Sequence, residues 1–263
     1  MKIIPKKSLG QNFLIDKKII EKICNAGNLS INDNVLEIGP GTGNLTEYIL
    51  QKKPKKFHVI EKDKRLIENL KKKFDKKLTI INNDILNYDL KLLSHKDLVI
   101  FGNLPYNISS QILVNFINYS YSKFSYKKLI LMFQKEVADR ILAQDNSKNY
   151  GRLSIFSSWK LNIKKLMDIN PSSFFPKPKV MSSLLIFKPK INYIKFKNPK
   201  NLEYITNVFF NQRRKKIKKP LNILFTDSKD VINELNLDIN LRPQNLNKDT
   251  FYKICLFYEK LIN

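Results

Sequence analysis

The chain has 263 residues, 43% of them hydrophobic, and 48 Lys and Arg stand against 23 Asp and Glu for a net charge of +25. That length allows one large α/β domain, or one such domain with a smaller companion, and the apolar fraction can fill a core. So positive a balance points to a polyanionic partner, nucleic acid foremost, although six arginines against many lysines, with abundant Asn and Ile, is also what an A+T-rich genome produces. No apolar run reaches the roughly 18 residues of a membrane span. Met1 to Lys7 lacks the apolar stretch of a signal peptide, so a cytoplasmic protein with no membrane partner is expected. Cys24 and Cys255 lie far apart among apolar residues, and His58 and His95 are the only histidines. Neither pair has metal-ligand or disulfide spacing, so buried thiols and no metal are expected.

In chain order, strand-length apolar runs alternate with helix-period stretches. Asn34–Ile38 predicts a strand and 43–53 a helix, then Phe57–Glu61 a strand and Lys64–Phe74 its helix. Leu78–Asn82 is a third strand. Leu98–Phe101 is a fourth, followed by a helix at about 109–119. Lys128–Phe133 is a fifth, followed by a helix at 137–143, and further β-rich runs lie at 163–169 and 182–187. This alternation argues for a parallel, doubly wound, Rossmann-like sheet. Pro189, Pro199 and five lysines between 188 and 200 mark a linker. Beyond it, 202–210, 220–225, 230–235 and 250–261 have helical spacing. The expectation is an α/β domain over 1–190 and a small all-helical domain over 191–263.

Two stretches carry chemistry. Val35 to Ile38 runs into Gly39-Pro40-Gly41-Thr42-Gly43, where glycines let the backbone approach a ligand closely. Asn44 stands where a dinucleotide fingerprint places its third glycine, Pro40 suits a pyrophosphate cradle poorly, and the Gly-Lys-Ser/Thr of a P-loop is missing. Glu61 closes the second strand and can hold both hydroxyls of a ribose. Asp84 follows the third and can accept from an adenine amine. A glycine loop and two acids at successive strand ends form the layout of an S-adenosylmethionine pocket, whereas taken singly Glu61 and Asp84 read equally as helix caps. The second stretch is Asn103-Leu104-Pro105-Tyr106, just past a buried strand. The Asn103 amide oxygen and the Leu104 carbonyl can accept the two hydrogens of a base's exocyclic amine, and the Tyr106 ring can lie on the base face. Pro105 restricts Leu104 to extended backbone.

With these segments in view, the chain resembles the ribosomal RNA adenine dimethyltransferases, which dimethylate paired adenines near the end of small-subunit rRNA. The likeness rests on Lys7-Ser8-Leu9-Gly10-Gln11-Asn12-Phe13-Leu14, the Glu37 to Gly43 loop, Asn103 to Ser109, and Phe174-Phe175-Pro176-Lys177-Pro178-Lys179-Val180. Asn211 to Lys216 and Leu241 to Leu246 also look like this family. The large-subunit adenine methyltransferases of macrolide resistance share the Asn-x-Pro-Tyr and Phe-x-Pro patterns. Leu9 to Asn12, Leu104 and the Gln212-Arg213-Arg214 run favour the small-subunit group.

The resemblance implies S-adenosylmethionine as donor and a monomer acting on small-subunit (16S) rRNA within a pre-ribosomal particle. It implies that Asn12 and Leu14 touch the donor together with Gly39, Gly41, Glu61, Asp84 and Asn103, and that Phe174 closes over the target base opposite Tyr106. Phe175 departs from the small or polar residue often found at its position. Arg213, Arg214, Lys215 and Lys216 form a basic cluster, expected on a helix, for phosphate contact. Two acceptors on one amine and two rings on its base align a poor nucleophile without a general base. A nicotinamide dehydrogenase would need Gly at 44 and a proton donor. A binding-only assembly factor would have no use for the intact Asn103–Tyr106 segment.

Overall fold

The computed structural model describes residues 4–93, 96–119 and 124–262; the opening Met1–Ile3 and His95 lie outside them. Two compact units emerge, one formed by Met1–Ala138 with Asn162–Pro189, the other by Asp139–Leu161 with Lys190–Asn263. The chain thus crosses from one unit to the other near 190. It also crosses at 139 and 161, so the segment between those positions belongs to the helical unit and not to the sheet-bearing one.

The first unit begins with a short strand, β1 (Phe13–Leu14), and a helix, α1 (Lys17–Gly27). Asp16 caps α1 by accepting from the backbone of Lys18 and Ile19, satisfying donors that a helix start leaves unpaired. The classical alternation follows: β2 (Asn34–Ile38), α2 (Asn44–Gln51), β3 (Lys56–Glu61), α3 (Lys64–Phe74), β4 (Thr79–Asn82), β5 (Leu98–Asn103), α4 (Ser109–Asn118) and β6 (Tyr126–Gln134). α5 (Lys135–Leu142) spans the boundary between the units. In the second unit α6 (Arg152–Lys160) precedes β7 (Leu161–Ile169), which leads back to the first. There β8 (Phe174–Phe175) pairs antiparallel with β1, matching Phe13 with Phe175 and Leu14 with Phe174. β9 (Ser182–Pro189) ends the unit.

The main sheet has seven strands in the order β4-β3-β2-β5-β6-β9-β7. β4 through β6 pair in parallel, and β9 then runs antiparallel to β6. The sheet is therefore mixed, not parallel throughout. Leu98–Phe101 and Leu129–Phe133 are fully buried, as unbroken apolar runs covered on both faces require. From β2 the chain moves outward to β3 and β4, then returns to the other side of β2 as β5. That reversal puts a crevice at the carboxyl ends of β2, β3 and β5, where open α/β sheets bind ligands.

The second unit packs α6 with α7 (Pro199–Asn211), α8 (Lys218–Leu224), α9 (Lys229–Glu234) and α10 (Lys248–Leu261). Phe209 and Phe251 meet edge to face at 5.2 Å, and Phe225 meets Phe257 at 5.7 Å. The buried Glu259 carboxylate accepts from Lys197 N, Asn198 N and the Asn201 amide, anchoring the N-terminus of α7 where negative charge is favoured. No described helix is long and apolar enough to cross a membrane.

Candidate active site

A cavity of about 200 Å³ opens at the carboxyl ends of β2, β3 and β5. Its walls include Asn12, Leu14, Gly39, Gly41, Glu61, Asp84, Asn103, Leu104 and Tyr106. Every predicted donor or base residue except Phe174 therefore lines one space.

The glycine turn works through its backbone. Gly39 and Gly41 have φ of 66° and 59°, left-handed values that strain any residue with a Cβ. A Cβ on Gly39 would meet only the Asn103 carbonyl, at 3.9 Å, so the space beside it is free for a ligand. Gly41 N donates to Glu61 Oε2 at 3.3 Å, and the other Glu61 oxygen takes Lys62 N and Asp63 N, each at 2.9 Å. Burial raises the Glu61 pKa, and these three N–H groups oppose the rise. Glu61 is thus held by backbone across the crevice and is not the cap of α3. Asp84 accepts from Leu86 N at 3.0 Å and from Lys62 Nζ at 2.8 Å. Burial pulls its pKa up, but Lys62 and the Leu86 N–H outweigh that and leave it lowered.

Asn103 is the last residue of β5, two positions beyond the predicted strand end. Its Nδ2 donates to the Asn12 carbonyl at 3.0 Å. A carbonyl can only accept, so this bond settles the amide orientation and assigns Oδ1 as the acceptor. No hydrogen bond among the described residues ends on the Leu104 carbonyl. Pro105 O accepts from Ile108 N, and Tyr106 O accepts from Ser109 Oγ, which ties the corner to α4. The Tyr106 hydroxyl lies 2.6 Å from Ser182 Oγ at the start of β9, so the ring is fixed at its far end.

Phe174 lies apart from the other predicted residues. Only 3% exposed, it packs in the core with Leu14 and Ile169 and does not line the cavity. Successive strand residues face opposite sides, so on β8 Phe174 points inward and Phe175, 52% exposed, points out. On β8 Phe174 stands beside Leu14 of β1, its register partner. The helix expected for the basic cluster is a correction. Gln212–Ile217 is the turn between α7 and α8, not a helix. Within it Arg213 bonds the Lys148 carbonyl and Gln244, and Lys216 bonds Asn240 at 2.8 Å. Arg214 and Lys215 are exposed.

Sequence reasoning missed what fastens the N-terminal segment over the cavity. Asp63 accepts from Gln11 Nε2 at 3.0 Å and from Arg65 through N, Nε and Nη2, while Arg65 Nη1 reaches the Ile4 carbonyl. The Arg65 bonds lead in holding the Asp63 carboxyl well below the usual carboxylate range. Asn44 Nδ2 holds the Leu14 carbonyl at 2.7 Å. Glu37 was missed too: it is 2% exposed and takes a 2.7 Å bond from Thr46. Burial pushes its carboxyl up to about 8, with Thr46 opposing and Glu61 adding to the rise. An acid inside an apolar strand, directly before the glycine turn, was the available signal.

The family model described as ribosomal RNA adenine dimethylase matches residues 5–260. The ribosomal RNA small subunit methyltransferase A of Pelagibacter ubique (strain HTCC1062) is 57% identical over 256 residues, 97% of each chain. A dimethyladenosine transferase from Plasmodium falciparum superposes with a TM-score of 0.82 at 30% identity, covering 94% of this chain and 98% of that one. The 23S rRNA methyltransferase ErmE shares the fold, with a TM-score of 0.70 at 20% identity over 96% of this chain and all of that one. The chain belongs to the ribosomal RNA adenine dimethylase family.

Proposed function

We propose that the chain methylates the exocyclic amines of two adjacent adenines near the 3′ end of small-subunit rRNA, within an assembling particle, using S-adenosylmethionine. One observation carries this reading: Asn103, its amide oriented by Asn12, shares a cavity with the left-handed glycine turn and Glu61. The small-subunit target is supported by the 57% identical relative's name, against a 20% likeness of fold to a 23S enzyme.

The residues fit the donor. The open space beside Gly39 admits a close backbone approach, and Glu61, fixed by three N–H groups, keeps acceptor capacity for ribose hydroxyls. When bound, the donor supplies an electrophilic methyl group on a positively charged sulfur.

The Asn103 Oδ1 and the Leu104 carbonyl accept the two amine hydrogens and so direct the nitrogen lone pair out of the base plane. Tyr106, braced by Ser182, holds the face of a base that has left its helix. Alignment and fixed dipoles supply the catalysis. The N–C bond would form as the S–CH3 bond breaks, and the sulfonium would leave as a neutral thioether. The cationic alkylated nitrogen would release its proton to solvent without a strong base. The test is transfer of labelled methyl from the donor to unmodified small ribosomal subunits. Incorporation supports the reading, and donor binding without incorporation contradicts it.

A further inference from the structure

We infer that Phe175 is a stacking platform for an unpaired RNA base next to the target adenine. This rests on the function proposed above and extends its RNA contact to a residue outside the cavity. Phe175 is the exposed phenylalanine of β8, in register with Phe13, which lines the cavity. From it the loop runs to Ser182, whose hydroxyl is bonded to Tyr106. The loop is thus fastened at one end to β1 and at the other to Tyr106, which lines the cavity.

Its composition fits a nucleic-acid strand. Val180 and Met181 are 44% and 39% exposed, and Lys177 and Lys179 are exposed between them and Phe175. An aromatic ring beside basic side chains is the usual device for holding single-stranded bases with their phosphates. Pro176 and Pro178 limit the backbone freedom of the loop, so little ordering is left for binding to impose. Burying Phe175 in the core would be the ordinary use of such a ring, but that place is taken by Phe174.

The test uses the full chain with unmodified small subunits and compares Phe175→Ala, Phe175→Leu and Phe175→Tyr for KM and kcat. Stacking on a base is worth about 1–3 kcal/mol, so Phe175→Ala should raise the subunit KM roughly 5- to 150-fold, with donor affinity and melting temperature unchanged. Phe175→Tyr should restore KM to within about threefold, and Phe175→Leu should stay impaired. Equal rescue by Leu and Tyr would reduce Phe175 to apolar packing, and an unchanged KM in Phe175→Ala would remove it from the interface. Should the natural protein fail to methylate subunits, the site reading fails on its own. Phe175→Trp fluorescence with a single-stranded RNA oligonucleotide then decides the platform separately: quenching supports it, and no change overturns it.

Discussion

On the glycine-turn side of the cavity the protein satisfies its own polar groups. Glu61 takes three backbone N–H groups, and Asp63 takes four donors from Gln11 and Arg65. On the Asn103 side it leaves them open: the Leu104 carbonyl has no donor among the described residues, and Phe175 is half exposed. A pocket for one constant small molecule can be organised before binding. On the proposed function, an edge that grips a base drawn from a large RNA keeps acceptors and rings in reserve. Preorganised polar groups act most strongly where they are already oriented, and Asn103, fastened by Nδ2 and open at Oδ1, belongs to both sides.

The sharpest way to break this contrast is Asn103→Ala. Losing one oriented acceptor should lower turnover by about 100- to 1,000-fold while donor affinity, read by calorimetry, changes little; parallel loss of both would place Asn103 on the donor side alone. Tyr106→Ala should cost about 10- to 100-fold in kcat/KM on subunits with an unchanged melting temperature, and Tyr106→Phe, which loses only the bond to Ser182, should cost far less. Removing the exposed Arg214 and Lys215 together should weaken subunit binding by about tenfold and flatten its salt dependence by roughly 0.7–0.9 per lost phosphate contact. An unaltered salt slope would make that turn a solvated surface.

Asp63→Ala tests the closed side. Without its anchor, the segment from Lys6 to Leu14 should exchange amide hydrogens faster and the donor KM should rise several-fold, with kcat nearly intact. Asp63 also sets a pH signature. Its native carboxyl is depressed, so its stabilisation is present above the ordinary carboxylate range and is lost as acidification protonates it. The melting-temperature gap between natural protein and Asp63→Asn should shrink from pH 7 towards pH 3. Glu37 has the opposite sign. Held up to about 8, it binds a proton in the native state that the unfolded chain releases near its ordinary pKa of about 4.3. Its stabilising proton is lost as pH rises towards and through 8. Glu37→Gln should therefore gain stability relative to the natural protein as pH rises from about 5 to 8, and the gain should level off above that.

Much of this was legible in the sequence. β2 and α3 begin and end where the apolar pattern places them, and the cavity wall follows from residue types at strand ends. α6 was not legible because Ser154–Ser157, Trp159 and Lys160 are buried, which erases the polar stripe that marks a surface helix. α1 carried its signal in Asp16 and the spacing of Ile20, Ile23 and Cys24, yet lay outside the strand-helix alternation. The reversal at β9 leaves no local trace, since an apolar run reads alike in either direction. The choice between Phe174 and Phe175 depends on the pairing of β8 with β1, a contact between segments far apart in the chain.

The most direct measurement is a nucleotide-resolution map of methylated adenines after the protein and S-adenosylmethionine are added to ribosomal subunits that lack them. The account predicts dimethyl marks on the exocyclic amines of two neighbouring adenines near the 3′ end of small-subunit rRNA, lost with Asn103→Ala. Marks on large-subunit rRNA, on another base or on a ring nitrogen would contradict it.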